Sequence, residues 1–84
     1  MAKGKVVQVI GTVVDIEFPP GALPAIYNGI EISVDGHKVV LEAQQHIGNN
    51  WVRAVALTPT EGLRRGVEAI DMGTPITVPW AGRL

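Results

Sequence analysis

The sequence predicts an all-β fold: a small closed six-stranded β-barrel with Gly/Pro-rich turns and little helix. Three observations predict it. Apolar residues recur at every second position along most of the chain, the period of a strand with one wet face. Asp35-Gly36 separates the two cleanest alternating runs, and it is a dipeptide that readily supplies the positive φ angles of a tight hairpin. Glycine and proline punctuate the remainder too often for a real helix, and short strands without helices close into barrels.

The elements follow in order. Strands are expected at about 4–10 and 12–18, joined through Gly11 as a bulge or sharp bend. Val14, Ile16 and Phe18 alternate there with Val13, Asp15 and Glu17, which places both carboxylates on the solvated side. Pro19-Pro20-Gly21-Ala22-Leu23-Pro24 is a loop, and Ala25 to Asn28 is read as one short helical turn. Strands at 30–35 and 37–46 form the antiparallel hairpin, with Glu31 and Glu42 on its polar side. Gly48-Asn49-Asn50 is a turn, and Trp51 to Leu57 is a strand whose inward face is ambiguous, because both parities are apolar around Arg53. Thr58 to Gly66 is a loop in which Thr60 caps at most a single turn. Short strands are expected at 67–72 and 75–80, separated by Gly73-Thr74.

With 84 residues, the chain reads as one domain over 1–84. Seven Lys and Arg oppose eight Asp and Glu for a net charge of −1, which offers no overall electrostatic footprint for nucleic acid or an anionic membrane. The absence of cysteine excludes disulfides, thiolate zinc sites and Cys nucleophiles. No run is apolar and long enough for a signal peptide or a membrane helix. Hydrophobic residues make up 46% and charged residues only 18%, an apolar surplus for so small a domain. Either Thr, Gln and Asn cover the surface, or a partner covers one face.

Catalytic chemistry finds little support. No Gly-rich string ends in Gly-Lys-Ser/Thr, and Gly62 and Gly66 flank Leu-Arg-Arg as turn glycines. His37 and His46 start and end one strand on opposite faces, roughly 30 Å apart, and share no metal. Ser33 is the only serine and lacks a partner His. A filled small barrel has no cleft in which a carboxylate pair acquires shifted pKa values. No catalytic residue, cofactor or metal is therefore expected. The rival reading is a nucleic-acid-binding barrel, with Trp51 beside Arg53, and Arg64-Arg65 elsewhere, as its only stacking patch. An excess of positive charge, which such binding needs, is missing.

The residues then say more than their periodicity. The string Gly4-Lys5-Val6-Val7-Gln8-Val9-Ile10-Gly11-Thr12-Val13-Val14-Asp15-Ile16-Glu17-Phe18 closely resembles the opening of the catalytic β subunit of F-type ATP synthases. So do Leu23 to Asn28, Leu41-Glu42-Ala43, Val52-Arg53, and Gly62-Leu63-Arg64-Arg65-Gly66 followed by Val67 to Asp71 and Gly73 to Pro79. The resemblance implies the N-terminal barrel, or crown, domain of that subunit. It implies side-by-side contacts with α-type barrels in a six-membered ring, and a position peripheral to an energy-transducing membrane on its cytoplasmic, matrix or stromal side, without direct membrane contact. ATP synthesis or hydrolysis coupled to proton transport would belong to the parent subunit, whose catalytic residues lie beyond the barrel and have no counterpart here.

Two departures accompany the resemblance. Val78-Pro79 is followed by Trp80-Ala81-Gly82-Arg83-Leu84, and Trp51 stands where the family usually has an aliphatic residue. Both point to an isolated and altered domain, engineered or reconstructed. Without α-type barrels, copies of the chain are expected to associate with one another in a sixfold ring. Trp51, Arg53 and Trp80 are the candidate interface residues. An engineered self-assembling ring and the nucleic-acid barrel are the alternatives to the native assembly module.

Overall fold

The structure is a computed structural model that describes residues 2–76. It contains six antiparallel strands: β1 (Lys3–Ile10), β2 (Val13–Glu17), β3 (Asn28–Val34), β4 (His37–His46), β5 (Trp51–Ala56) and β6 (Glu68–Pro75). They close into a barrel in the order β1-β2-β5-β4-β3-β6, so β6 joins β3 to β1 and completes the cylinder. No helix occurs among the described residues.

Period-two patterning builds the core directly. Val14 and Ile16 from β2, Ile30, Ile32 and Val34 from β3, and Val39, Leu41 and Ala43 from β4 turn inward and are buried. Val52, Ala54 and Ala56 come in from β5, which resolves the ambiguous strand: its even-numbered residues face the core. Phe18, just past β2, fills one end of the barrel. Gly4 allows that ring to approach, because a Cβ there would lie 2.9 Å from Phe18 Cδ2 and 2.6 Å from the Glu17 carbonyl oxygen.

The Asp35-Gly36 hairpin forms as expected, with Val34 opposite His37 and φ of 48° and 83° at the two central residues. Other local expectations change. Gly11 is neither bulge nor bend within a strand. It opens a two-residue hairpin turn between Ile10 and Val13, while the bulge of β1 falls at Val7, between Val6 and Gln8. The helical turn expected at Ala25 to Asn28 is instead a β-turn, closed by the Asn28 amide donating to the Ala25 carbonyl (3.0 Å). Tyr27 sits in its left-handed position at φ 75°, and that conformation cannot propagate a helix.

The two strands expected at 67–72 and 75–80 are one strand through residue 75. Gly73, at φ 76°, makes a bulge inside it, so that the stretch from Asp71 to Pro75 opposes only Ile30 to Asn28. The Gly73 amide donates to Asp71 Oδ1 (2.9 Å) and fixes the bulge. The rest of the 75–80 segment, from residue 77 on, lies outside the described residues.

Candidate protein interface

The outer surface between β1 and β4 is organised in rows set by strand register. Gln8, Asp15, Arg53 and Gln45 oppose one another across β1, β2, β5 and β4. On one side of this polar row runs Ile10, Val13, Val55 and Glu42; on the other runs Lys5, Glu17 and Trp51. Trp51, Arg53 and Val55 are all half-buried and project from the same face of β5. Ile10 is 63% exposed, and Leu57, immediately past β5, is 54% exposed.

The polar row corrects the expectation of a solvated carboxylate at Asp15. Its side chain is only 2% exposed, although it points away from the barrel interior. Neighbouring strands cover it. Arg53 donates from Nε to Oδ1 (2.9 Å) and from Nη2 to Oδ2 (3.1 Å), and Gln8 Nε2 donates to Oδ2 (3.0 Å). Both carboxylate oxygens are thus satisfied, as a buried charge requires. The hydrogen bond to Asp15, reinforced by its negative charge, raises the pKa of Arg53 above its ordinary value. Register explains why parity misleads here: on a strongly curved sheet, long side chains of adjacent strands fold over a short one between them.

Of the three residues that the sequence singles out, Trp51 and Arg53 come together on this face, and Trp80 lies outside the described residues. Sequence reasoning missed Gln8 and Asp15 as the partners of Arg53. It also missed the apolar row. Its signal was present: Trp51 to Leu57 is apolar on both parities, the pattern of a strand covered on both faces.

The strands β3 and β6 stand opposite β5 and β2 in the barrel order. They carry a second apolar depression of about 270 Å³, lined by Val40, Met72, Pro75 and Ile76 beside Gly29 and Glu31. A larger surface groove of about 410 Å³ at the Phe18 end is flanked by Lys3 and Lys5, and equally by Glu17 and Glu68, so its charges balance. The ingredients of a nucleic-acid site are dispersed. Arg64 reaches Asp35 (3.6 Å) beside the β3–β4 turn, whereas Trp51 begins β5 opposite Glu17.

His37 Nε2 donates to the Glu61 carbonyl (2.8 Å) and His46 Nε2 to the Pro24 carbonyl (2.6 Å), so both histidines tie loops to β4. Among the described residues, no group of three or more His, Asp or Glu is placed to hold a metal ion. No helix among them is long and apolar enough to cross a membrane.

Comparison with known protein families gives a match over residues 6–73 to the ATP synthase alpha/beta family, beta-barrel domain. The match spans most of the chain and all but the ends of the six-stranded cylinder. Family and architecture agree, and they agree with the N-terminal crown position that the quoted residues imply. The chain belongs to the ATP synthase alpha/beta family, as its non-catalytic N-terminal β-barrel domain.

Proposed function

We infer that the chain is the barrel of a catalytic β subunit and works as an assembly module. Its β1-β2-β5 face meets the neighbouring barrel in the ring that family membership implies. The observation that carries this reading is the layout of that face. A half-buried Trp51 and an Arg53 fixed by Asp15 lie beside the apolar Ile10, Val13 and Val55, and Ile10 and the nearby Leu57 are exposed. Interfaces concentrate their binding energy in such Trp and Arg anchors, and apolar surface of this kind is costly to leave in water. The second depression, on β3 and β6, lies on the opposite side of the cylinder. Two different faces on opposite sides are what a head-to-tail ring contact uses.

In this reading the whole of residues 1–84 serves one barrel, and nucleotide chemistry belongs to the parent subunit. Copies of the isolated chain use the same two faces on each other and close a sixfold ring. Trp51, in place of the family's aliphatic residue, enlarges the contact and marks an altered sequence.

Light scattering across a concentration series tests this. The expected result is a mass above that of one 8.9 kDa chain that falls toward it on dilution, and a shift of the midpoint to at least roughly tenfold higher concentration in Trp51→Ala. A single-chain mass at every concentration, alone and with an α-type barrel added, would overturn the proposal.

A further inference from the structure

The six staves of the barrel are unequal. β4 is held by six residue pairs to β3 and five to β5, and it contributes Val39, Leu41 and Ala43 to the core. β6 is held by three pairs to β1 and three to β3, the latter ladder broken by the Gly73 bulge. Its burial is equally thin. Ala69 is its one fully buried side chain, while Met72 to Pro75 are exposed. Pro75 ends the strand without an N–H to donate. Polar ties supplement the ladders: Asn28 Nδ2 donates to Asp71 Oδ1 (3.3 Å) and the Asp71 amide to the Ala2 carbonyl (2.9 Å). Releasing β6 therefore exposes little apolar surface of its own, and local opening free energy follows buried contacts and ladder bonds.

We propose that β6 is the exchangeable stave of this barrel: it detaches while β1 to β5 stay paired, and the edges it leaves accept β6 from a second copy of the chain. The partner is fixed by the edges themselves. Detachment bares the Lys3–Lys5 side of β1 and the Asn28–Glu31 side of β3, whose complement is the β6 sequence in its own register. A second copy supplies that complement unchanged, so every bond lost within the chain is regained between chains, the condition that makes strand swapping inexpensive.

The connection permits it. Residues 57–67 join β5 to β6 as loop, turning at Gly62 and Gly66. The ends of this segment are anchored, Thr58 accepting from the Val40 amide (3.0 Å) and donating to the Lys38 carbonyl (3.4 Å) of β4, and Gly66 and Val67 exchanging backbone bonds with Val6 of β1. Between these ends, the polar side-chain ties to the β3–β4 hairpin are surface contacts, the Arg64–Asp35 pair at 3.6 Å and the His37–Glu61 carbonyl bond. Such contacts resist opening weakly.

Deuterium exchange followed by mass spectrometry, combined with a disulfide lock, tests this on the full chain. Lys3 and Ile70 oppose each other in register, as do Lys5 and Glu68, and the chain has no native cysteine. Lys3→Cys/Ile70→Cys is the first lock, and Lys5→Cys/Glu68→Cys is the second should the first not fold. The expected result is β6 exchange at least roughly tenfold faster than β4 exchange. A dimer should also form slowly at high concentration and separate only slowly on dilution. Oxidising the lock should bring β6 protection up to that of β4 and abolish this dimer, and reduction should restore both behaviours. Equal protection of β6 and β4 in the unlocked chain, absence of the slow dimer, or its formation by the oxidised lock would each overturn the proposal. Ring contacts through the outer faces do not require β6 to open, so association that survives the lock bears on the assembly reading alone.

Discussion

Asp15 is the residue on which charge and packing meet. It is buried on the outside of a barrel, and Arg53 and Gln8 donate to both of its carboxylate oxygens. Removing one member of such a pair is worse than removing both, because a lone buried charge loses its compensation. Arg53→Met is therefore expected to lower the thermal midpoint, and Asp15→Leu/Arg53→Met to recover most of the loss, as read by circular dichroism melts. The pH dependence has a definite sign. A cation whose folded pKa is raised contributes stability below its unfolded pKa and loses it only as pH rises through the folded value. For Arg53, whose pKa is raised further by Asp15, that window lies far into alkaline pH, so its titration adds no slope to stability between pH 5 and 9. The same guanidinium remains 42% exposed and available to a neighbour.

At the scale of elements, β4 and β5 each carry more register pairs to their neighbours than the closing strand does. Leu41 is fully buried, and its backbone lies between Ile30 of β3 and Ala56 of β5. A Leu41→Ala substitution leaves a cavity that closed sheets cannot collapse around, at a cost of about 2–5 kcal/mol, measurable as a lower urea midpoint at unchanged slope. Leu57→Ser, by contrast, removes a side chain already 54% in water and is expected to change stability by no more than about 0.5 kcal/mol. The same pair of elements shows how much was legible beforehand. The β3–β4 hairpin followed from its alternation and the Asp35-Gly36 turn. The inward face of β5 did not, because a strand apolar on both sides gives parity nothing to separate.

Over the whole molecule, the interior is filled by side chains from all six strands and by Phe18, with β6 contributing Ala69, and among the described residues the depressions are surface grooves. A site for a nucleotide needs convergent backbone amides and a cation to meet its phosphates, and the proposed assembly role calls for no such site. ATP with magnesium, titrated to millimolar concentration, is expected to leave the fluorescence of Trp51 unchanged and to give no heat in calorimetry. A micromolar dissociation constant would contradict the assembly-only role. In the proposed assembly, the two outer faces account for the apolar surplus noted in the composition.

By itself, the sequence determined the class of fold, the hairpin, the loops and the family, because strand periodicity, turn chemistry and a long run of matching residues are all local along the chain. It also marked Trp51 and Arg53 as a pair on one strand. What only the tertiary structure decided depends on register between strands distant in sequence. Asp15 is buried because Gln8 and Arg53, one on each flanking strand, close over it. Residues 68–75 form one strand because β1 and β3 offer two edges for it to bridge, with Gly73 absorbing the mismatch. Tyr27 takes a left-handed turn because its amide donates to the Ala43 carbonyl (2.7 Å), across the sheet from its own loop. Closing a cylinder fixes which residues stand opposite one another, and no window of neighbouring residues contains that information.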